Sequence, residues 1–181
     1  SWEKVPSTFD QVAWQLAHTA RINEERERFE KQGYVVLTEN QNSFTLRSKA
    51  SGIAIGGKPD LIARKGSNGI VIDVKTGQPS PSHGVQVMTY MWAVPRALGQ
   101  YQGVTFTGLL AYNSHEVEIP ASAVDKLFTD NLGKLISRVG DGKNQARKVP
   151  SAMECGFCPI THLDCPERAG KDERIEGETD D

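Results

Sequence analysis

The sequence predicts an α/β fold, or a closely related α+β arrangement, in which helices cover a central β-sheet. Three observations lead to this fold class. The 181 residues correspond to one domain, 38% of them are hydrophobic, and a helical pattern is followed by a group of strands with further helices interspersed. A chain of this length buries roughly 70% of its unfolded surface, so it needs no disulfides to form a core.

The first predicted element is a helix over residues 7–32. Ser7 and Asp10 form a capping pattern at its start, apolar residues recur at helical spacing, and Gly33 ends it. Six strand-like segments are rich in β-branched or aromatic residues and are bounded by polar turns: 34–39, 43–47, 53–63, 70–75, 103–112 and 116–119. The last two are expected to form a hairpin across Asn113 and Ser114.

Two more helices are predicted, over residues 83–98 and 123–139. Pro95 is expected to kink or shorten the first of them, because proline has no backbone N–H and its ring clashes with the preceding turn. A polar linker over 140–148 leads to a cysteine-rich segment, and an acidic tail ends the chain. We therefore expect a core over 1–150, a metal-binding segment over 151–168 packed on that core, and a mobile tail over 169–181.

The formal net charge is −2, from 21 Lys and Arg against 23 Asp and Glu. The last eleven residues hold six of the acids and two of the bases, which leaves a charge of +2 on residues 1–170. This charge is too small to demand a nucleic-acid partner. We expect neither a membrane protein nor a secreted precursor, because no apolar run is long enough to span a membrane and no basic-then-apolar leader opens the chain. Since the chain starts at Ser1 rather than Met, we expect a processed form or part of a longer chain.

The most informative segments are residues 57–60 and 70–75. Alternate residues of a strand share a face, so Asp73 and Lys75 point the same way. If the two segments form an antiparallel hairpin whose loop is centred between positions 66 and 67, Asp60 lies directly opposite Asp73. A tight turn at 68–69 would instead separate the two acids by about 13 Å along the strand. Only the first register forms a site.

Two carboxylates opposed across strands repel each other, by about 0.2–1 kcal/mol. A divalent cation with oxygen ligands offsets this repulsion, and the Val74 carbonyl is a further candidate oxygen ligand. Lys75 beside the ion would orient or deprotonate a water or stabilise charge on a phosphate, which suits phosphodiester cleavage. The alternative is a solvated strand face with ordinary charges. The flanking apolar residues argue against it, because charges on a buried strand are costly unless they are paired or functional.

The cysteines, Cys155, Cys158 and Cys165, lie within eleven residues near the end of the chain. Such a cluster is a poor disulfide framework and indicates soft-metal ligation in a reducing compartment, hence a cytoplasmic protein. The glycine and prolines among the cysteines predict a tight ligand loop rather than a helix or strand. With His162 the cysteines form a complete C-x2-C-x3-H-x2-C set, so spacing alone favours a structural zinc site. Three free buried thiols are the remaining alternative.

An ordered set of three short motifs resembles the PD-(D/E)XK nuclease superfamily: G-x-x-D ending at Asp60, D-x-K from Asp73 to Lys75, and Q-x-x-x-Y from Gln86 to Tyr90. The likeness is greatest to the RecB-like branch, which includes the iron–sulfur nucleases of CRISPR adaptation, and it covers about residues 10–168. It implies a restriction-endonuclease-like fold, with a central mixed β-sheet flanked by helices. It also implies that Asp60 and Asp73 hold Mg²⁺ or Mn²⁺ and that Lys75 assists the attacking water. By the same resemblance, Gln86 and Tyr90, four residues apart on one helix face, contact the site or the DNA backbone.

The family also has a histidine or an acid on the helix before these strands, a position that His18 occupies. The resemblance favours a metal ligand there, although a lone histidine in an apolar stretch is more often packed and hydrogen-bonded. Glu25, two turns further on, is the reserve candidate for this ligand. His83 either faces the site or caps its own helix.

Iron–sulfur nucleases of this family carry three C-terminal cysteines like these and one near the N-terminus. The resemblance therefore implies a 4Fe–4S cluster on Cys155, Cys158 and Cys165, narrowly above zinc. The last spacing here is six residues rather than the more usual five, and the sequence contains no fourth cysteine. If Ser1 is a truncation point, the fourth ligand is expected upstream of it.

The expected function is metal-dependent hydrolysis of DNA, by an exonuclease acting on single-stranded DNA or ends in repair, recombination or CRISPR adaptation. Besides DNA, the expected partner is a larger parent chain or a nuclease, helicase or integrase complex, and no membrane is involved. The alternatives are a non-catalytic nucleic-acid-binding or assembly module and a small-molecule metalloenzyme, which would have a deep closed pocket. Seven basic residues are candidate phosphate contacts: Lys58, Arg64, Lys65, Arg96, Lys143, Arg147 and Lys148.

Overall fold

The structure is a computed structural model that describes residues 10–140 and 149–171. Contacts between Cα atoms divide the chain into two compact units: Ala17–Gln145 forms one, and Ser1–Leu16 together with Ala146–Asp181 forms the other. The two candidate acids belong to the first unit, and the cysteines belong to the second. None of the described helices is both long enough and apolar enough to cross a membrane.

The strands form two sheets. In chain order they are β1 (Val35–Thr38), β2 (Phe44–Arg47), β3 (Ala54–Gly57), β4 (Leu61–Lys65), β5 (Asn68–Lys75), β6 (Thr105–Tyr112) and β7 (Glu116–Ile119). The main sheet has the order β1-β4-β5-β6-β7, while β2 and β3 pair with each other in a separate two-stranded sheet. β5 and β6 are parallel, and the other neighbours in the main sheet are antiparallel.

The described helices are α1 (Gln11–Lys31), α2 (Glu39–Asn42), α3 (Pro81–Ala97), α4 (Lys126–Gly140) and α5 (Ala152–Phe157). α3 connects the two parallel strands, as parallel pairing requires a crossover segment. A mixed sheet flanked by helices confirms the predicted α/β class. The predicted hairpin of the last two strands is also confirmed, with Ala111 opposite Glu116.

The pairing of β4 with β5 has the first of the two predicted registers. Leu61 lies opposite Ile72, and Lys65 opposite Asn68, so the loop is centred between positions 66 and 67. The alternative turn at 68–69 is wrong because both residues belong to β5. Gly69 serves another purpose: a Cβ there would overlap the Phe106 ring, so the glycine lets β6 approach β5 closely.

The predicted single strand over 53–63 is wrong. It is two strands, β3 and β4, separated by the segment 58–60. Pro59 has no N–H with which to continue a ladder, and β3 turns to pair with β2, where Phe44 lies opposite Gly57. Residues 40–42, expected to be a polar connection, belong to the short helix α2. At the start of this helix, the side chain of Gln41 accepts the backbone N–H of Thr38.

Two helix starts differ from expectation. α3 begins at Pro81, two residues before the predicted start, and ends at Ala97, within one residue of the predicted end; Pro95 does not shorten it, because a proline near the C-terminal end removes little of the hydrogen bonding. Ala123, expected to open the last helix, instead ends a separate 3₁₀ turn over Ala121–Ala123, and α4 begins at Lys126. The predicted start of the first helix at residues 7–9 lies outside the described residues, and its end at Lys31 is within one residue of the prediction.

The core of the first unit has two apolar layers, one on each face of the main sheet. Val71 and Leu110 pack against Val87 and Met91 of α3. On the other face, Ile72, Val74 and Leu109 pack against Phe29 and Ile22 of α1. Residues 71, 73 and 75 of β5 therefore face α3, whereas residues 72 and 74 face α1. This alternation puts Asp73 and Lys75 on the α3 side, as their spacing predicts.

Candidate active site

Asp60 lies in the connection between β3 and β4, directly after Pro59. Its Oδ2 atom accepts a hydrogen bond from the backbone N–H of Val74, at 2.8 Å. The side chain is 15% exposed, so the carboxylate has limited access to water. The bond ties this connection to β5 and holds the carboxylate beside the end of that strand.

Burial raises the pKa of Asp60 above its ordinary value, because a low-dielectric environment disfavours the charged carboxylate. The N–H of Val74, His18 and Lys75 act in the opposite direction, and Glu39 adds to the increase in the pKa. A nearby cation favours the ionised form of a carboxylate. The site therefore suits a positive ion beside Asp60.

Asp73 and Lys75 form a buried ion pair at the end of β5. Lys75 Nζ lies 3.2 Å from Asp73 Oδ2, and the two side chains are only 6% and 5% exposed, respectively. Removing charges from water costs several kcal/mol per ion, so a buried pair is weak evidence for stability. Charged groups held in a buried position at such a cost are typical of functional sites.

His18, on α1, reaches the same region from the other face of the sheet. Its Nε2 atom lies 3.2 Å from the carbonyl oxygen of Val74 and 3.9 Å from Asp60 Oδ2. Because a carbonyl can only accept, Nε2 carries the proton in the contact with Val74. As a metal ligand, the same nitrogen would present its lone pair instead.

Gln86 and Tyr90 lie on α3, where the Nε2 atom of Gln86 donates to the Tyr90 hydroxyl at 3.2 Å. Burial raises the pKa of Tyr90; the charges of Asp73 and Asp60 raise it further, whereas the Gln86 bond lowers it. The Tyr90 ring also packs against Gly57, three residues before Asp60. The two residues therefore belong to the same region as the acid pair.

Gly57 makes room for this tyrosine. A Cβ at position 57 would lie 2.6 Å from Tyr90 Cε1 and 2.9 Å from Phe44 Cζ. The two rings meet edge to face, with centroids 6.0 Å apart. The glycine of the G-x-x-D motif is thus explained by close packing against the aromatic ring of the Q-x-x-x-Y motif.

The donors in this region suit a divalent cation in chemical type. Among the described residues, no three His, Cys, Asp or Glu side chains form a group that could hold a metal ion by themselves. The set here includes a backbone oxygen: His18 Nε2, Asp60 Oδ2 and Val74 O lie together, and Asp73 directly precedes the residue whose N–H binds Asp60. Oxygen donors with one imidazole fit Mg²⁺ or Mn²⁺ better than a soft metal.

The family model of the PD-(D/E)XK nuclease superfamily matches residues 3–165. The chain belongs to this superfamily. It is therefore a member of a nuclease family whose enzymes generally use divalent metal ions, and its mixed sheet is the restriction-endonuclease-like arrangement that the motifs imply.

One solved structure, described as the crystal structure of SSO0001, is similar to this nuclease with a TM-score of 0.52. The sequence identity is 20%, and the match covers 88% of this chain and 71% of that chain. At this identity, the likeness shows the fold alone. A search of curated proteins gave no match.

Glu25 does not join the site of the nuclease, so its reserve role as a ligand is wrong. It is buried, with its carboxylate oxygens 2.8 Å from Arg21 Nη2 and 2.6 Å from Arg28 Nη2. Burial raises its pKa, and the two arginines lower it. The sequence placed Glu25 near the face of His18, but the arginines one turn on either side already bind its carboxylate.

Sequence reasoning missed two residues at the site. Glu39 forms an ion pair with Lys58 and raises the pKa of Asp60, although its position at the end of a predicted strand gave no signal. Tyr112 is the register partner of Lys75 on the neighbouring strand, and its hydroxyl contacts His83. A tyrosine ending an apolar strand is a weak signal, which becomes informative only once the strand order is known.

Four of the basic residues expected to contact phosphates lie in the described part of the chain, and each of them forms an ion pair or a hydrogen bond with another group of the protein. Lys58 pairs with Glu39, and Lys65 donates to the Gln32 carbonyl. Arg64 and Arg96 also donate to backbone carbonyl oxygens. Lys143, Arg147 and Lys148 lie outside the described residues.

In the second unit, the cysteine segment is partly helical, so the predicted loop is wrong at its start. Cys155 lies in α5, because Ser151 caps this helix by accepting the N–H of Glu154. All three cysteines are free thiols, and the buried Cys155 Sγ accepts the N–H of Ala169 at 3.3 Å. His162 is exposed.

A buried arginine holds the cysteine segment together. Arg168 Nη1 donates to the carbonyl oxygens of Cys158, at 3.0 Å, and Ile160, at 2.8 Å, while its Nε donates to that of Lys171. The thiol donors suit a soft metal, but within residues 149–171 they do not form a group positioned to hold one.

Proposed function

We propose that Asp60, Asp73 and Lys75 are the catalytic residues of a Mg²⁺- or Mn²⁺-dependent deoxyribonuclease. The observation that supports this most is the link between Asp60 and the end of β5: Asp60 directly precedes Leu61, which pairs with Ile72, and its carboxylate accepts the N–H of Val74, the residue after Asp73. Lys75 is paired with Asp73 at 3.2 Å on the same buried face. Nuclease chemistry follows from the family, and DNA as the substrate is our inference.

His18, Asp60, Asp73 and the Val74 carbonyl are the proposed ligands of the cation. When bound, the cation would stabilise the negative charge that develops on the phosphate during cleavage. The bond from the Val74 N–H to Asp60 fixes this carboxylate, while the carbonyl oxygen of the same residue contacts His18. The protein thus orients Asp60 and His18 through the two backbone groups of one residue of β5.

Lys75 would orient the attacking water or donate to a phosphate oxygen, since an ammonium group carries three donors and no acceptor. Its pairing with Asp73 keeps it at the site before substrate binds. Gln86 and Tyr90 present polar groups beside the acids, where they would contact the DNA backbone. Phosphate contacts of this kind position the substrate without reading its sequence.

The finer assignment is an exonuclease of the RecB-like branch that acts on single-stranded DNA or ends. It is supported by the Q-x-x-x-Y motif, whose glutamine and tyrosine are hydrogen-bonded to each other on one helix face. Repair, recombination and CRISPR adaptation are the proposed settings, within a larger parent chain or a complex with a helicase or integrase. Labelling the 5′ and 3′ ends of single-stranded and duplex substrates in turn would test polarity and strand preference.

The cysteine segment, 151–168, is our proposed metal-binding part, with a 4Fe–4S cluster on Cys155, Cys158 and Cys165 and zinc with His162 as the alternative. The Cys-x-x-Cys spacing and the N–H bond to Cys155 Sγ support a thiolate site. The test is metal analysis and a visible absorption spectrum of anaerobically purified protein. Iron with a broad brown absorption supports the cluster, and colourless protein with stoichiometric zinc supports the alternative.

The main experiment compares DNA cleavage by the wild type, Asp73→Asn and Asp130→Asn in Mg²⁺ and Mn²⁺. Asp73→Asn preserves side-chain size and removes the charge, so we expect a roughly 10²–10³-fold lower rate with DNA binding retained. Asp130, whose exposed partner Lys126 lies at 2.6 Å on α4, is the matched control and should cleave like the wild type. Unchanged cleavage by Asp73→Asn would contradict the proposal.

A wild type that binds DNA and never cleaves DNA or RNA with either ion would support the second candidate, a non-catalytic binding module. The buried Asp73–Lys75 pair argues against that function, because a binder gains nothing from this costly arrangement.

A small-molecule metalloenzyme would place a closed pocket at the acids. A pocket of about 600 Å³ in the described part of the chain is instead lined by residues of α1, β6 and β7, including Arg28, Thr107 and Glu118, and by none of the proposed ligands.

A further inference from the structure

His83 and Tyr112 form a buried hydrogen-bonded pair beside the proposed site. The Tyr112 hydroxyl lies 2.9 Å from His83 Nδ1, and the two side chains are buried. The backbone N–H of Ser80 also donates to this nitrogen, at 3.3 Å. Because an N–H can only donate, Nδ1 is the acceptor, and the tyrosine hydroxyl must be the donor.

Tyr112 lies next to Lys75 in the sheet. The two residues are paired in the parallel register of β5 and β6, so their side chains project on the same face. Both residues are almost completely buried, at 6% exposure for Lys75 and 4% for Tyr112. Lys75 therefore pairs with Asp73 on its own strand and has Tyr112 beside it on the neighbouring strand.

His83 lies on the helix that carries the other polar residues of the site. Positions 83, 86 and 90 are separated by three and four residues, so they share one face of α3. His83 is in the first turn of that helix, where it completes the cap with Ser80. Its bond to Tyr112 therefore joins the start of α3 to the strand that flanks Lys75.

We propose that His83 and Tyr112 are positioning residues for the nuclease reaction. Their bond holds the start of α3 against β6, and thereby fixes Lys75 from one side and Gln86 and Tyr90 from the other. The inference rests on the proposed function, since it concerns the same site. It assigns a role to His83 beyond helix capping and a role to Tyr112 that its position in the apolar strand does not indicate.

The first test is Tyr112→Phe, which keeps the ring and removes the hydroxyl. The matched control is Tyr101→Phe, because Tyr101 is also buried and its hydroxyl donates to Asn42 Oδ1 at the same distance of 2.9 Å. Tyr101 packs on Phe106, at the opposite end of β6 from Lys75. Both variants thus lose one buried tyrosine bond, but only the first loses it beside the site.

We expect Tyr112→Phe to lower kcat by about tenfold to a hundredfold, since a 1 Å displacement of a site residue can cost a hundredfold. KM should stay within about twofold of the wild-type value. Tyr101→Phe should retain the wild-type kcat, while the melting temperatures of the two variants fall by similar amounts. Equal kcat values in the two variants would overturn the inference and leave the pair with a purely structural role.

A second comparison tests the acceptor. His83→Asn keeps an acceptor near the position of Nδ1 and should retain more kcat than His83→Leu, which removes it. The double variant His83→Leu with Tyr112→Phe should be no slower than the slower single variant, because both changes remove one interaction. Additive losses in kcat, or equal kcat in the asparagine and leucine variants, would contradict the inference.

These outcomes are separable from failure of the proposed function. If the wild type cleaves DNA and Asp73→Asn does not, the site is catalytic, and the Tyr112 comparison then judges the positioning role alone. If the wild type does not cleave, the proposed function fails first. In that case the inference, which concerns the rate of the same site, fails with it.

Discussion

Replacing Gly57 by alanine tests whether the two motifs of the site are packed together as the structure has them. The added methyl carbon would lie 2.6 Å from Tyr90 Cε1 and 2.9 Å from Phe44 Cζ. Carbon atoms pack best at about 3.5–4.0 Å, so the Tyr90 ring must move by about 1 Å. The backbone at position 57 has no positive φ, so the expected effect comes from overpacking and not from backbone strain.

Overpacking of this size destabilises a protein by about 1–3 kcal/mol, and a 1 Å displacement of a site residue can lower the rate about a hundredfold. We expect Gly57→Ala to show both effects, measured as the free energy of unfolding in urea and as the rate of DNA cleavage. The two effects have one cause, the displaced tyrosine ring.

Gly133→Ala is the matched control. Gly133 lies in α4 with nothing within 4 Å of its added Cβ, so alanine should stabilise the helix by up to about 1 kcal/mol without changing the rate. If Gly57→Ala were as stable and as active as Gly133→Ala, the packing of Tyr90 on Gly57 would be incorrect, and so would the placement of Tyr90 beside the acids.

Two further predictions concern the buried charge and the cysteine segment. In EDTA, Asp60 ionises above about pH 3.8 in the unfolded chain but only at higher pH in the folded protein, because burial raises its pKa there. Between these two pH values the folded state binds more protons than the unfolded state, so the free energy of unfolding falls as the pH rises. Asp60→Asn still accepts the Val74 N–H and has no carboxyl group to ionise. The urea midpoint of this variant should therefore rise relative to that of the wild type as the pH increases. A difference between the two midpoints that does not change with pH would refute the raised pKa of Asp60 as the cause. Arg168→Leu removes the donor shared by the carbonyl oxygens of Cys158 and Ile160, so Cys155 should react faster with a thiol reagent than in the control Arg138→Leu, which changes an exposed helix residue. Equal reaction rates would show that Arg168 does not hold the segment closed.

The Asp73–Lys75 relation was predictable from the sequence because it depends only on strand alternation. The position of Asp60 was not predictable to the same degree, since two loops were possible. Gly69 is ambiguous in the sequence: glycine suits both a tight turn and a close approach of another strand. Phe106, from β6, decides for the close approach, and this residue is 37 positions away along the chain.

Residues whose roles depend on distant partners were predicted less well. His18 and Glu25 are both plausible ligands on one helix, but Arg21 and Arg28 bind Glu25, while His18 meets Val74 from β5. Cys155 was expected in a loop, although the serine cap at Ser151 makes a short helix there. In both cases a local hydrogen bond or ion pair took precedence over the residue spacing.

By itself, the amino-acid sequence determined the fold class and the shared face of Asp73 and Lys75, and it supplied the candidate ligands of a cation. The tertiary structure alone decided that the Asp60 carboxylate binds the N–H of Val74, that Tyr112 flanks Lys75 and that Gly57 accommodates Tyr90. The physical reason is the range of the interactions. Alternation and capping act over a few residues, whereas strand register and ring packing depend on contacts between segments that are far apart in the chain.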